Sequence, residues 1–304
     1  MHLVSLKEWD KNIIEEVIDK AIYIKNNQHK FHNALQHKTL AMIFQKTSTR
    51  TRVSFEVAMT QLGGHAIFLD WNLSNFTLAS IEDEVRYLSR NVDIIMARLL
   101  KNHDLLALAE HSKVPVINGC CEKFHPCQII TDLMTVKEKF GKLEGINIVY
   151  TGMHNNVCNS FILAASKLGV NLTLVTPEFH PPCIDRDVML AVDTNPCIKK
   201  ETNLKEAAKN ADIVYTDSWV DMEYFNDPKF EEEKQRRVKL MLPCQINKEN
   251  LEGSKALVMH DMPIHENYEI TREMIESDRS IIFDQSENRL HSQKAILLKL
   301  LDQF

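Results

Sequence analysis

The chain of 304 residues is 44% hydrophobic and 26% charged, long enough for two domains with cores of their own. Its formal net charge of −6 argues against a general nucleic-acid or acidic-membrane binder, so a local cluster of cations points to a small ligand. Seven cysteines, an odd number without a C-x-x-C spacing, are expected as reduced thiols, and no apolar run approaches the length of a membrane span.

Residues Met1 to Glu8 have no signal- or transit-peptide character, so a cytoplasmic location is expected. Asp10 reads as an N-cap, with Ile13, Ile14, Val17, Ile18 and Ala21 following at helical spacing. Leu40 to Phe44 reads as a buried strand, and Val53 to Met59 as the first turns of a helix that Gly63-Gly64 ends. Strands are expected over 65–69, 92–99 and 114–117, and helices over 81–90 and 103–111. Asp132 to Phe140 belongs to a long helix. The pattern then restarts with strands over 146–150, 171–175, 213–216 and 256–259, helices over 157–168 and 204–210, and a closing helix over 284–301. The run Glu231-Glu232-Glu233, followed by Lys234 and Arg236-Arg237, reads as a solvated helix face.

Strand and helix alternate throughout, which predicts an α/β protein with two doubly wound parallel-sheet domains. The expected division is residues 1–133 plus the closing helix 285–304 against residues 134–284. In open parallel sheets, ligands bind outside the carboxyl ends of the strands. Arg98, then His125 and Gln128, Asn155 and Asn156, Asp217 and Trp219, and His260-Asp261 all fall at such ends. Any one alone is more often a capped loop; their recurrence at one edge of both sheets marks a site.

The stretch Phe44-Gln45-Lys46-Thr47-Ser48-Thr49-Arg50-Thr51-Arg52 packs three cations and four hydroxyls between a strand and a helix. Backbone N–H groups and the helix dipole attract an anion there, and Ser48, Thr49, Thr51 and the Arg50 fork would surround a phosphate.

Taken together, these motifs resemble the aspartate and ornithine carbamoyltransferase family along nearly the whole chain. Ser48-Thr49-Arg50-Thr51-Arg52 is similar to its carbamoyl-phosphate motif and Met96-Ala97-Arg98 to its second arginine. His125-Pro126-Cys127-Gln128, with Asp132, is similar to its His-Pro-x-Gln signature. Asn155-Asn156-Val157, the segment Tyr215 to Val220, and Glu287-Asn288-Arg289 resemble the ornithine branch.

The resemblance implies transfer of a carbamoyl group from carbamoyl phosphate to the amine of ornithine or a related cationic amine, without cofactor or metal, in a homotrimer. It implies that Ser48, Thr49 and Arg50 hold the phosphate. Thr51, Arg98 and His125 would stabilise charge on the carbonyl oxygen, the largest catalytic contribution in such reactions. Gln128 would accept a hydrogen bond from the carbamoyl amide. Arg289 would reach in from the second domain. Asn156, Asp217, Asp221, Met222 and Asp261 would face the amine. Cys121, Cys127 and Cys158 read as packing thiols, and Asp132 as a buried helix-start partner rather than a catalyst.

Three departures from the ornithine pattern concern the amine. His260-Asp261-Met262-Pro263 stands where His-Cys-Leu-Pro is usual, Asp221-Met222-Glu223 where Ser-Met-Gly is usual, and the loop Leu73 to Phe76 differs. A carboxylate at 261 near Asp217 would favour a cationic acceptor, ornithine or a different diamino acid or diamine, unless Asp261 turns away to pair with Arg289 or Arg50. Two other classes compete. A dinucleotide-binding dehydrogenase lacks its glycine fingerprint, since Thr151-Gly152-Met153-His154 offers one glycine. A non-catalytic carbamoyl-phosphate-binding relative would be free to lose Arg98, His125 or Gln128.

Overall fold

The structure, a computed structural model, describes residues 1–220 and 224–304. The chain divides into two compact units, Met1–Lys139 with Glu287–Phe304, and Phe140–Ser286. The expected cut at 133/134 falls inside a helix that runs on to Phe140.

In the first unit, α1 (Lys11–Asn26), β1 (Thr39–Phe44), α2 (Thr49–Gln61), β2 (His65–Asp70), α3 (Ile81–Leu88), β3 (Ile94–Arg98), α4 (Asn102–His111), β4 (Val116–Cys120) and α5 (Pro126–Phe140) follow in order. The four strands form a parallel sheet in the order β2-β1-β3-β4. The central strands β1 and β3 are buried on both faces, which is why they read as continuous apolar runs rather than alternating ones. Leu40, Met42 and Ile43 are fully buried, each contributing roughly 1.5–3 kcal/mol.

The chain order reverses between β1 and β3, and their carboxyl ends are register partners, Phe44 with Arg98. That switch point is where an open sheet leaves room for a ligand. The strand expected at 114–117 instead runs to Cys120. Asn118 and Gly119 hid its end, each for a packing reason. Asn118 Nδ2 donates to the carbonyls of Val4 and Phe124, and a Cβ on Gly119 would meet Met96 Sδ at 2.5 Å.

In the second unit, β5 (Asn147–His154), α6 (Asn156–Leu168), β6 (Asn171–Phe179), α7 (Arg186–Thr194), β7 (Ile198–Lys200), α8 (Leu204–Ala208), β8 (Ile213–Thr216), α9 (Glu231–Met241), β9 (Leu257–His260) and α10 (Arg272–Ile275) precede α11 (Ile282–Leu300), which ends in the first unit. The sheet is parallel throughout, in the order β7-β6-β5-β8-β9, with its switch point between β5 and β8. The charged run at 231–237 is helical as expected, and Glu233 pairs with both Arg236 and Arg237. Among the described residues no helix is long and apolar enough to cross a membrane.

Candidate active site

The turn after β1 is built by its own side chains. Ser48 is extended and its Oγ accepts the Thr51 amide at 3.3 Å, so it caps α2 as an Ncap residue. Lys46, Thr47, Ser48 and Thr49 line a cleft of about 270 Å³ at the start of α2, with Gln45 and Arg52. Arg52 is drawn off by other partners. Its Nε donates to Glu56 at 3.0 Å and its guanidinium lies 3.9 Å over the Phe68 ring.

Behind this turn a buried polar network converges on Thr51, which is fully buried. Arg289 Nη2 donates to Thr51 Oγ1 at 2.9 Å, and Arg98 Nη1 approaches the same oxygen at 3.5 Å. Arg289 Nη1 also donates to Gln128 Oε1 at 3.0 Å. Gln128 Nε2 donates to Asp132 Oδ1 at 2.8 Å, which fixes which end of the amide faces Arg289. Arg98 and Arg289 are 8% and 4% exposed. Two guanidiniums this buried around one hydroxyl make the pocket strongly cationic, which suits it to an anion.

His125 is 4% exposed. Burial, and then the charges of Arg289, Arg98, Lys46 and Arg50, hold its ring well below the usual histidine range. It is therefore a neutral donor at neutral pH, suited to a hydrogen bond toward a developing oxyanion. Burial disfavours the charged form of the thiols too, which shifts them the opposite way and makes them inert. Burial raises Cys121 to about 11 and Cys127 to about 12, and lifts Cys158 in the second unit well above its ordinary value. None of the seven cysteines forms a disulfide.

In the second unit the switch point carries the polar residues. Asn155, at the end of β5, caps α6 by accepting from the Val157 and Cys158 amides, while its Nδ2 donates to Asp217 Oδ2 at 2.6 Å. Asp217 follows β8 and also accepts from the Ser218 amide at 2.6 Å. Asn156 is half-buried on the first turn of α6. Trp219 is 1% exposed in an apolar cluster with Met153, Val220 and Met241, so it packs rather than presenting a polar edge. It also explains the single glycine of the discarded dinucleotide motif. Gly152 has φ +115°, and a Cβ there would meet the Trp219 indole nitrogen at 2.8 Å.

Ligand atoms of Asp217, His260 and Asp261 lie within 4.8 Å of one another. His260 is a poor metal ligand here, because Nε2 faces Glu269 at 3.1 Å and Nδ1 accepts the Met262 amide at 2.8 Å. That leaves two carboxylates facing a common space, an arrangement for an ammonium group.

Arg289 lies in the first unit, as the expected division with its closing helix 285–304 has it, and so does not enter from the second. Gln128 Oε1 accepts from Arg289, which leaves its second lone pair for a further donor. Asp221 and Met222 lie outside the described residues. Glu269 and Gln285 escaped selection as side chains that shape the site; a carboxylate between Tyr268 and Ile270 gave no local sign of burial.

Residues 1–138 match the carbamoyl-P binding domain of aspartate/ornithine carbamoyltransferases, and residues 144–300 match the Asp/Orn binding domain of the same family. The ornithine carbamoyltransferase of Archaeoglobus fulgidus is 43% identical, over 99% of this chain and 97% of its own length. That of Pyrococcus horikoshii is 41% identical over 98% of this chain and 95% of its own. The solved ornithine carbamoyltransferase from Pyrococcus furiosus matches with a TM-score of 0.90 at 39% identity, covering 99% of this chain and 97% of that one. With both of its domains matched and full-length relatives at this identity, the chain is a member of the aspartate/ornithine carbamoyltransferase family.

Proposed function

We infer that this enzyme transfers the carbamoyl group of carbamoyl phosphate to the side-chain amine of ornithine, giving citrulline and phosphate. The observation that carries the reading is the convergence of Arg98 and Arg289 on Thr51, with neutral His125 and oriented Gln128, in a chain similar over its length to proteins named ornithine carbamoyltransferase. Ser48, Thr49, Arg50 and the α2 amides hold the phosphate. Thr51, Arg98 and His125 face the carbonyl oxygen, Arg289 braces Thr51 and Gln128, and Gln128 takes the carbamoyl amide. Asn156, Asp217 and Asp261 face the amine.

The amine nitrogen forms the new C–N bond as the C–O bond to phosphate breaks. The bonding pair leaves with the phosphate, which takes up the proton lost by the amine. No covalent enzyme intermediate is needed, so catalysis is positioning and electrostatic stabilisation of the oxyanion.

The assembly is a homotrimer in this reading. Its support is an apolar surface that water does not favour, with Leu73 and Leu78 at 88% and 84% exposure beside edge strand β2. A cytoplasmic location accords with seven cysteines, none of them in a disulfide. A biosynthetic direction accords with the relative named anabolic from Pyrococcus furiosus.

Asp261 supports a second reading, in which a different diamino acid or a diamine is the preferred acceptor. Phosphate release and ureido-product formation from carbamoyl phosphate, measured across a panel of amines, decide between them. Ornithine is expected to give the highest kcat/KM by a wide margin. A better diamine or diamino acid establishes the second reading, and amine-independent phosphate release with every acceptor overturns both.

A further inference from the structure

Glu269 is fully buried, and no step of the carbamoyl transfer uses it. Its Oε1 accepts from His260 Nε2 at 3.1 Å and also from the His265 amide. His260, likewise fully buried, donates its own amide to Gln285 Oε1 at 2.9 Å, and its Nδ1 accepts the Met262 amide at 2.8 Å. The ring is thereby read: Nδ1 carries the lone pair and Nε2 the proton, because a carboxylate can only accept.

Met262 needs that hold. Its φ is +61°, a left-handed conformation that costs free energy in any residue with a Cβ. The turn is tied a second time where Ser218 Oγ donates to the Pro263 carbonyl at 2.9 Å. Between these ties sits Asp261, with its carboxylate 3.7 Å from His260 Nδ1 and within 4.8 Å of the Asp217 carboxylate.

We propose that Glu269 is a positioning residue which, by fixing the His260 tautomer, holds the strained turn at Met262 and so aims Asp261 beside Asp217 for the acceptor amine. The proposal rests on the reading that this unit takes the amine. A carboxylate at 269 both presents the acceptor for Nε2–H and gathers the His265 amide, whose ring stacks flat on Phe225 at 3.7 Å. One buried oxygen therefore sets both limbs of the loop.

The test has two arms. In the wild-type enzyme, nitrogen NMR of His260 reads the tautomer without any assay, and the Nε2–H form is expected. The Nδ1–H form or the imidazolium overturns the proposal even if ornithine proves to be the substrate. In Glu269→Met, which has no acceptor for the ring, KM for ornithine is expected to rise by about 10- to 100-fold, the range for losing a buried partner that orients a ligand-binding group. KM for carbamoyl phosphate stays within about twofold, and Glu269→Gln, which keeps one acceptor oxygen, recovers most of the loss. Equal rises in both KM values, or an unchanged KM for ornithine, overturn the proposal. If no amine is carbamoylated by the wild type, the substrate reading fails, while the tautomer arm still decides whether Glu269 sets the loop.

Discussion

Arg289 and Thr51 are 238 positions apart in sequence, yet Nη2 of one donates to Oγ1 of the other at 2.9 Å. The contact ties the closing helix to the first turn of α2, and through Gln128 to α5. A guanidinium does this because its planar fork reaches two acceptors at once, which an ammonium on a flexible stem does not. Arg289→Lys is therefore expected to keep the charge and lose the geometry, lowering kcat by about 10²-fold, in the range for an oxyanion-stabilising donor. A change under about threefold in steady-state kcat would show that charge alone suffices.

Asp132 acts on the substrate through Gln128. Its Oδ1 takes the Nε2 donor at 2.8 Å and leaves Oε1 toward Arg289. Asp132→Leu removes the acceptor for Nε2 and leaves Arg289 alone to distinguish the two ends of that amide. The flipped amide would point its N–H groups at a guanidinium, so a penalty of about 1–3 kcal/mol falls on the carbamoyl-phosphate site. KM for carbamoyl phosphate is expected to rise by about tenfold while Asp132→Asn, which retains an oxygen acceptor, stays near wild type. Equal KM values for the two variants would rule out an orienting role.

What the sequence disclosed depended on how local the cause was. Arg98 and Asp217 could be picked out because a polar residue at the end of an apolar run is a local signal, and His125 because it opens α5 shortly after a strand; each parallel sheet places its own such ends at one edge. The joint between strand and helix at Ser48 was legible, but the helix begins at Thr49 rather than Val53, because Ser48 caps a first turn of polar residues that carries no apolar spacing. Glu269 was not, because its burial depends on His260 nine residues away and its surroundings read as a polar loop. The return of the closing helix to the first unit was legible, and α11 starts in one unit and ends in the other close to the expected cut at 284/285. Among the strands, β7 is three residues long with two of them exposed, so no periodicity could develop.

The thiols offer a sharp check on the absence of covalent chemistry. With Cys121 at about 11 and Cys127 at about 12, the thiolate fraction at pH 8 is about 10⁻³ and 10⁻⁴. Both side chains are also fully buried. Iodoacetamide at pH 8 is expected to leave the native enzyme active over hours, and Cys121→Ser to turn over within about twofold of wild type. Rapid inactivation that carbamoyl phosphate protects against would reinstate a thiol at the site.

Acid stability should be set in part by His154, which ends β5 next to Asn155. Burial, only partly offset by the hydrogen bond with Asn159 at 2.8 Å, lowers this ring to about 4. The unfolded chain then takes up a proton as pH falls below about 6.5, while the folded one resists until about pH 4. The folded state thus keeps its full margin above pH 6.5 and loses on the order of 3 kcal/mol between pH 6.5 and 4 through this group. His154→Gln cannot take up that proton, so its stability should fall less steeply across the same window even if it is lower at pH 7. Amide hydrogen exchange of β5 at pH 7 and pH 4.5 reads the difference in the second unit alone. Parallel losses in both proteins would mean that His154 is already charged in the native state, and that the acid sensitivity of this unit lies elsewhere.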